Sequence, residues 1–206
     1  MIIAVFVTSA VAYAAMAAFL RVSFWKAAAL YIGFSVLVIF LRYILVFFGA
    51  PDALVILIEE LVKAGAVLAL WGRSDCLPLL AASAFGFAEM GAIKPLILMS
   101  AASGKQAATL ADVIFVDIVY FNAVLMHIIT ALVLASMRNR ILACIAIIPN
   151  LIFHFFFNIS RVLYEPAPWA ICGETAIFAL LIFWGMHRYQ LKCAPHIAPA
   201  GGNFEG

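Results

Sequence analysis

The chain has 206 residues, of which 68% are hydrophobic and only 11% charged. Soluble domains carry about 25% charged residues, so there is too little polar surface here to cover a water-soluble core. A formal net charge of +2 without a clustered basic face argues against nucleic acid as a partner, and Cys76, Cys144, Cys172 and Cys193 lack the paired or metal-type spacing of a disulfide framework or zinc knuckle.

A transmembrane helix needs about 20 mostly apolar residues, and about seven such stretches follow one another along the chain. The first, Ile2–Leu20, has no basic n-region before it and reads as a span rather than a cleaved signal. Ala27–Phe48 is the second, after a break at Arg21-to-Lys26. Gly49-Ala50-Pro51-Asp52 separates it from the third, Ala53–Trp71, and Gly72-Arg73-Ser74-Asp75 leads into the fourth, Leu77–Ile93. One long connection is expected over Lys94–Asp117, with a surface helix over Gln106–Asp117. Ile118–Met137, Ile141–Ser160 and Trp169–His187 complete the set. The expected fold is therefore an all-α, polytopic transmembrane helical bundle. It forms a single domain over 1–192, with a disordered Ala/Pro/Gly-rich tail over 193–206.

Loop charges orient such a bundle. Seven spans place Arg21, Lys26, Arg73, Arg138, Arg140, Arg188 and Lys192 on one side, and only Lys94, Lys105 and Arg161 on the other. The richer side is cytoplasmic by this rule, so the N-terminus is expected outside and the C-terminus inside.

Five places carry ionisable side chains within the apolar stretches: Arg42; Glu59, Glu60 and Lys63; Glu89; His127; and His154 with Asn158. A charge at mid-bilayer costs at least about 2.5 kcal/mol, which makes each a functional-site candidate. Glu59 and Lys63 share a helical face and can pair in the favourable Glu-first order. His154, Asn158 and Arg161 form one polar stripe on an otherwise aromatic helix. At about 1.5 Å per residue, Glu59 and His154 lie roughly 10 Å, and Glu89 roughly 7 Å, from the same side of the membrane. His127 is deeper, roughly 15 Å from Asp117. Arg42 reads as a structural counter-ion or snorkelling side chain. Asp112, Asp117 and Arg161 read as membrane boundaries.

In order along the chain stand Glu59-Glu60-Leu61-Val62-Lys63 (EExxK), Phe85-Gly86-Phe87-Ala88-Glu89 (FxxxE), a lone His127, and His154-Phe155-Phe156-Phe157-Asn158 (HxxxN). This ordered set, over residues 52–161, resembles the PrsW-type intramembrane proteases of the CAAX prenyl endopeptidase and bacteriocin-processing superfamily. Met90 stands where that family often has Asn. Ala123 and Ala135 stand where it often has Arg and Gly, the pattern of a divergent member. The resemblance implies a peptide hydrolase of the bacterial or archaeal plasma membrane. Its substrate would be a single-span, membrane-anchored protein such as an anti-sigma factor, cut near the outer membrane boundary. It also implies roles. Glu59, backed by Glu60, would activate water, Glu89 would help to hold that water, and His154 and Asn158 would donate to the oxyanion, with His127 nearby.

Other readings use the same residues. Two Glu and two His can form a zinc shell with an open position for water, although HExxH is absent, so no cofactor is implied and zinc stays open. A non-catalytic scaffold or immunity-type protein of the same fold is a second possibility. A proton-coupled transporter is a third, since buried Glu/His chains make proton relays. Inverted repeats would mark a transporter, and no repeat is visible.

Overall fold

A computed structural model describes residues 2–73, 76–102, 110–163 and 168–193, with backbone alone over 2–6, 46, 92–102, 110–120, 161–163 and 168–169. Among them run seven helices and no strand: α1 Ile2–Phe19, α2 Phe24–Phe47, α3 Asp52–Ala69, α4 Leu77–Ala102, α5 Leu110–Ser136, α6 Arg140–Leu163 and α7 Pro168–Cys193. Each expected apolar stretch falls on one of them.

Local chemistry accounts for the ends. Arg21 and Gly49 take left-handed backbone after α1 and α2 (φ 56° and 61°). Val22 N then donates to Ala17 O at 2.9 Å, and Ala50 N to Leu45 O at 2.9 Å, which satisfies carbonyls left over at the helix ends. Extended Pro51 precedes α3, whose first turn carries Asp52 where an acid favours the helix dipole. Asn139 Oδ1 accepts from Leu142 N at 2.9 Å to cap α6.

The long connection expected over Lys94–Asp117 is mostly helix. Lys94 lies inside α4, which continues to Ala102, and residues 110–117 form the start of α5 rather than a separate surface helix. A charge near the end of an apolar run closes a hydropathy window, but it does not interrupt backbone hydrogen bonding. Residues 103–109, including Lys105, lie outside the described residues, as do the break at Glu165-Pro166 and the tail over 194–206.

Phe24–Leu45, Arg140–Ser160 and Ala170–Cys193 are long and apolar enough to cross a membrane, and Val7–Phe19, Leu77–Gly91 and Phe121–Ser136 are shorter apolar helices. Large apolar side chains stand exposed along the three long ones, among them Ile32, Val36 and Phe40 of α2, Ile145, Ile152 and Phe156 of α6, and Leu180, Phe183 and Trp184 of α7. Glu60, Lys63, Asn122 and Thr130 are fully buried instead. Apolar outside and polar inside reverses a soluble fold, and patches of that extent call for lipid. These are the features of an integral membrane protein.

α4 is the central helix and packs on α1, α2, α3 and α5, while α3 also meets α5 and α6. Its small residues Ala81, Ala82, Ser83, Ala84 and Ala88 are all buried and admit neighbours closely. Ser9 Oγ and Tyr13 Oη of α1 donate to its Phe87 and Leu80 carbonyls at 2.5 and 3.1 Å. This packing brings α2, α3, α5 and α6 around one polar interior.

Candidate functional site

The site begins with α3, whose Glu59, Glu60 and Lys63 are buried at 4%, 0% and 0% exposure. Lys63 Nζ donates to Glu60 Oε1 at 2.5 Å, to Thr130 Oγ1 at 2.6 Å, and lies 3.1 Å from His127 Nδ1. The pair expected between Glu59 and Lys63 is therefore replaced by an i, i+3 pair with Glu60. Both spacings suit a helix, and the neighbours decide. His154 and Thr130 face the Glu60 side, whereas Arg42 of α2 faces Glu59.

His154 of α6 sits between the two glutamates, with Nδ1 at 2.8 Å from Glu60 Oε1 and Nε2 at 3.5 Å from Glu59 Oε2. His127 of α5 places Nε2 at 3.1 Å from Glu89 Oε2 of α4, and the two imidazoles meet edge to face with centroids 5.0 Å apart. This approach requires Gly86. A Cβ there would stand 2.6 Å from His127 Cβ and 3.0 Å from its Cγ. Asn150, beside Pro149, donates to the Thr130 carbonyl at 2.9 Å and ties α6 to α5 behind the cluster.

Arg42 closes the circuit. Its Nη2 hydrogen-bonds Glu89 Oε1 and lies 2.7 Å from Glu59 Oε1. The second contact is a charge pair rather than an aligned hydrogen bond, since Glu59 Oε1 has no hydrogen-bond partner of proper geometry. Of the two expectations for Arg42, these contacts are those of a counter-ion. Three carboxylates with one lysine need a second cation, which Arg42 supplies. Thr130, Asn150 and Gly86 carry no charge that would mark them in the sequence.

Hydrogen-bond inventory assigns the protons. An ammonium only donates, so His127 Nδ1 accepts from Lys63 and Nε2 carries the hydrogen given to Glu89. His154 Nδ1 donates to the carboxylate of Glu60, which turns the Nε2 lone pair toward Glu59. A proton placed between that nitrogen and Glu59, 3.5 Å apart, would make the contact attractive. With it, the three carboxylates would balance Arg42, Lys63 and the shared proton.

The same bookkeeping tests a metal. One ligand atom each from Glu59, His127 and His154 lies within 4.8 Å of the others. A metal-bound histidine donates its other N–H to an acceptor. His154 meets that condition through Glu60, but His127 faces the Lys63 ammonium. The set therefore does not fit a resident divalent metal while Lys63 is charged.

A cavity of about 390 Å³ reaches the cluster, lined by Arg42, Asp52, Val55, Ile56, Glu59, Phe155, Asn158 and Ile159. Of the six expected site residues, Glu59, Glu60, Glu89, His127 and His154 thus join one network of contacts. Asn158, one turn beyond His154, joins Glu59 in the cavity wall. Glu60 and His127 lie behind, and the side chain of Arg161 is outside the described residues. Comparisons with protein-family models, curated proteins and solved structures give no match.

Proposed function

We propose that the chain is an intramembrane endopeptidase of the glutamic type, which hydrolyses a peptide bond of a single-span membrane protein. The observation that carries this reading is the convergence of Glu59, Glu89, His127 and His154, from four helices, onto contacts of about hydrogen-bond length beside a cavity. Groups that move protons act at that range or through one water.

In the proposed reaction the shared proton rests on His154, leaving Glu59 as carboxylate. Glu59 takes a proton from a water in the cavity while the water oxygen bonds to the scissile carbonyl carbon. The carbonyl electron pair moves to oxygen, where the Asn158 amide donates. Collapse re-forms the carbonyl and breaks the C–N bond. The proton on Glu59 passes to the leaving nitrogen, giving a carboxyl and an amine. Glu60, Lys63, His127 and Glu89 are positioning residues that hold Glu59 and His154 in register. His154, committed to Glu60 and Glu59, serves better as the base's partner than as the oxyanion donor that the resemblance implies.

All seven helices span the membrane in this proposal, with the N-terminus outside. Asp52, at the α3 end of the cavity, then marks an opening toward the outer leaflet, where water arrives by the shortest path. An anti-sigma factor is the substrate type suggested by the resemblance to PrsW-type proteases.

The test is cleavage of a single-span substrate by purified wild type, Glu59→Gln and Glu89→Gln. Loss of turnover in the folded Glu59→Gln protein is expected. Equal cleavage by all three refutes the mechanism. A non-catalytic scaffold is the second reading, favoured by one observation: Arg42 already neutralises both Glu59 and Glu89. Absence of cleavage by wild type across a panel of single-span substrates moves the assignment there.

A further inference from the structure

Arg42 meets both carboxylates through the same atom, Nη2. A guanidinium carries five N–H donors in a rigid fork, and Nη1 and Nε, three of them, make no hydrogen bond to a described residue, although Asp52 in the same cavity wall attracts the guanidinium. The arginine lines the cavity beside Glu59 and Asn158, and its side chain keeps 31% of its surface exposed. A counter-ion alone would be served better by a fork turned inward, one nitrogen to each carboxylate. Here Arg42 instead keeps part of its side chain exposed in the wall of the space that a substrate would enter. The other cation of the cluster, Lys63, is fully buried and spends its donors on Glu60, Thr130 and His127. It lines no part of the cavity. His154 likewise has one nitrogen on Glu60 and the other toward Glu59.

We infer that Arg42 is a catalytic residue, which donates from its Nη1/Nε edge to the scissile carbonyl oxygen opposite the Asn158 amide. This rests on the hydrolase reading above. As the water oxygen bonds to carbon, the carbonyl electron pair moves to oxygen, and the developing charge is met by a full positive charge in a low-dielectric site. Arg42 gives up no proton and returns to its starting state when the C–N bond breaks. Its Nη2 grip holds the fork in register with the base, so the nucleophile and the oxyanion donor are set by one side chain. The cavity wall thus holds a carboxylate to activate water and two donor side chains, those of Arg42 and Asn158. This arrangement suits a trigonal carbonyl becoming tetrahedral.

Arg42→Lys separates this role from that of a counter-ion. Lysine keeps the charge beside Glu59 and Glu89 but lacks the planar fork. The expected result is an unchanged melting temperature and KM with kcat lowered on the order of 10²–10³, the usual effect of losing one oxyanion donor. Cleavage within about threefold of wild type by Arg42→Lys, while Glu59→Gln is inactive, overturns the inference and leaves the hydrolase reading intact. A second measurement needs no turnover. Phenylglyoxal, which attacks free guanidinium edges, is applied to wild type with and without a saturating single-span peptide, and adducts are located by mass spectrometry. Protection of Arg42 by the peptide together with cleavage supports the inference, and protection without any cleavage removes the catalytic role along with hydrolysis and leaves Arg42 as a peptide contact only. Equal labelling of Arg42 in both samples overturns the inference whatever the cleavage assay shows.

Discussion

Replacing Lys63 by methionine tests how the buried cluster is held together. The lysine is fully buried and holds Glu60 Oε1 at 2.5 Å, Thr130 Oγ1 at 2.6 Å and His127 Nδ1 at 3.1 Å. Methionine fills similar volume, so packing changes little, and the effect isolates the charge. Glu60 would keep only His154 as a donor, and its second oxygen, Oε2, already has no hydrogen-bond partner. A charge-assisted hydrogen bond contributes about 1.5–3 kcal/mol. Leaving a buried charge unpaired brings the loss to about 3–5 kcal/mol. The double variant Lys63→Met with Glu60→Gln removes the orphaned charge and should recover most of it. Both can be followed by reversible unfolding in mixed detergent micelles, with helical circular dichroism as the signal. A single Lys63→Met protein within about 1 kcal/mol of wild type would refute the reasoning, since no buried pair of this kind is so weak once broken.

The other predictions are briefer. Gly86→Ala puts a methyl 2.6 Å from His127 Cβ, so α4 and α5 must separate; a loss of about 1–3 kcal/mol is expected by the same unfolding assay, together with reduced turnover. Chelators should leave turnover unchanged and purified protein should carry no stoichiometric zinc. Inhibition with one bound zinc per chain would show that Lys63 does not set the His127 tautomer. Reporter fusions at Lys26 and Arg138 should both read cytoplasmic, and opposite signals from the two would break the proposed topology.

The sequence alone determines the class of this protein and the number of helices among its described residues, because composition and run length are local sums that need no tertiary partner. Apolar stretches of about 20 residues punctuated by Arg21, Gly49-Ala50-Pro51 and Gly72 mark the helices, and the loops between them follow. It also shows which polar residues have to be sheltered, since Glu59, Glu60, Glu89, His127 and His154 stand in apolar runs where lipid would be costly. It does not show how far α4 and α5 extend past Lys94 and before Asp117, because a charge ends hydropathy but not a helix. Above all it leaves the pairing open. Helical spacing permits Lys63 to reach Glu59 or Glu60 equally, and Arg42 can serve lipid headgroups or a carboxylate. Only the tertiary structure decides, by placing Thr130, His127 and His154 on one side of α3 and Arg42 on the other. A buried charge takes the partner that packing brings within about 3 Å, and that choice is made between helices, not along one.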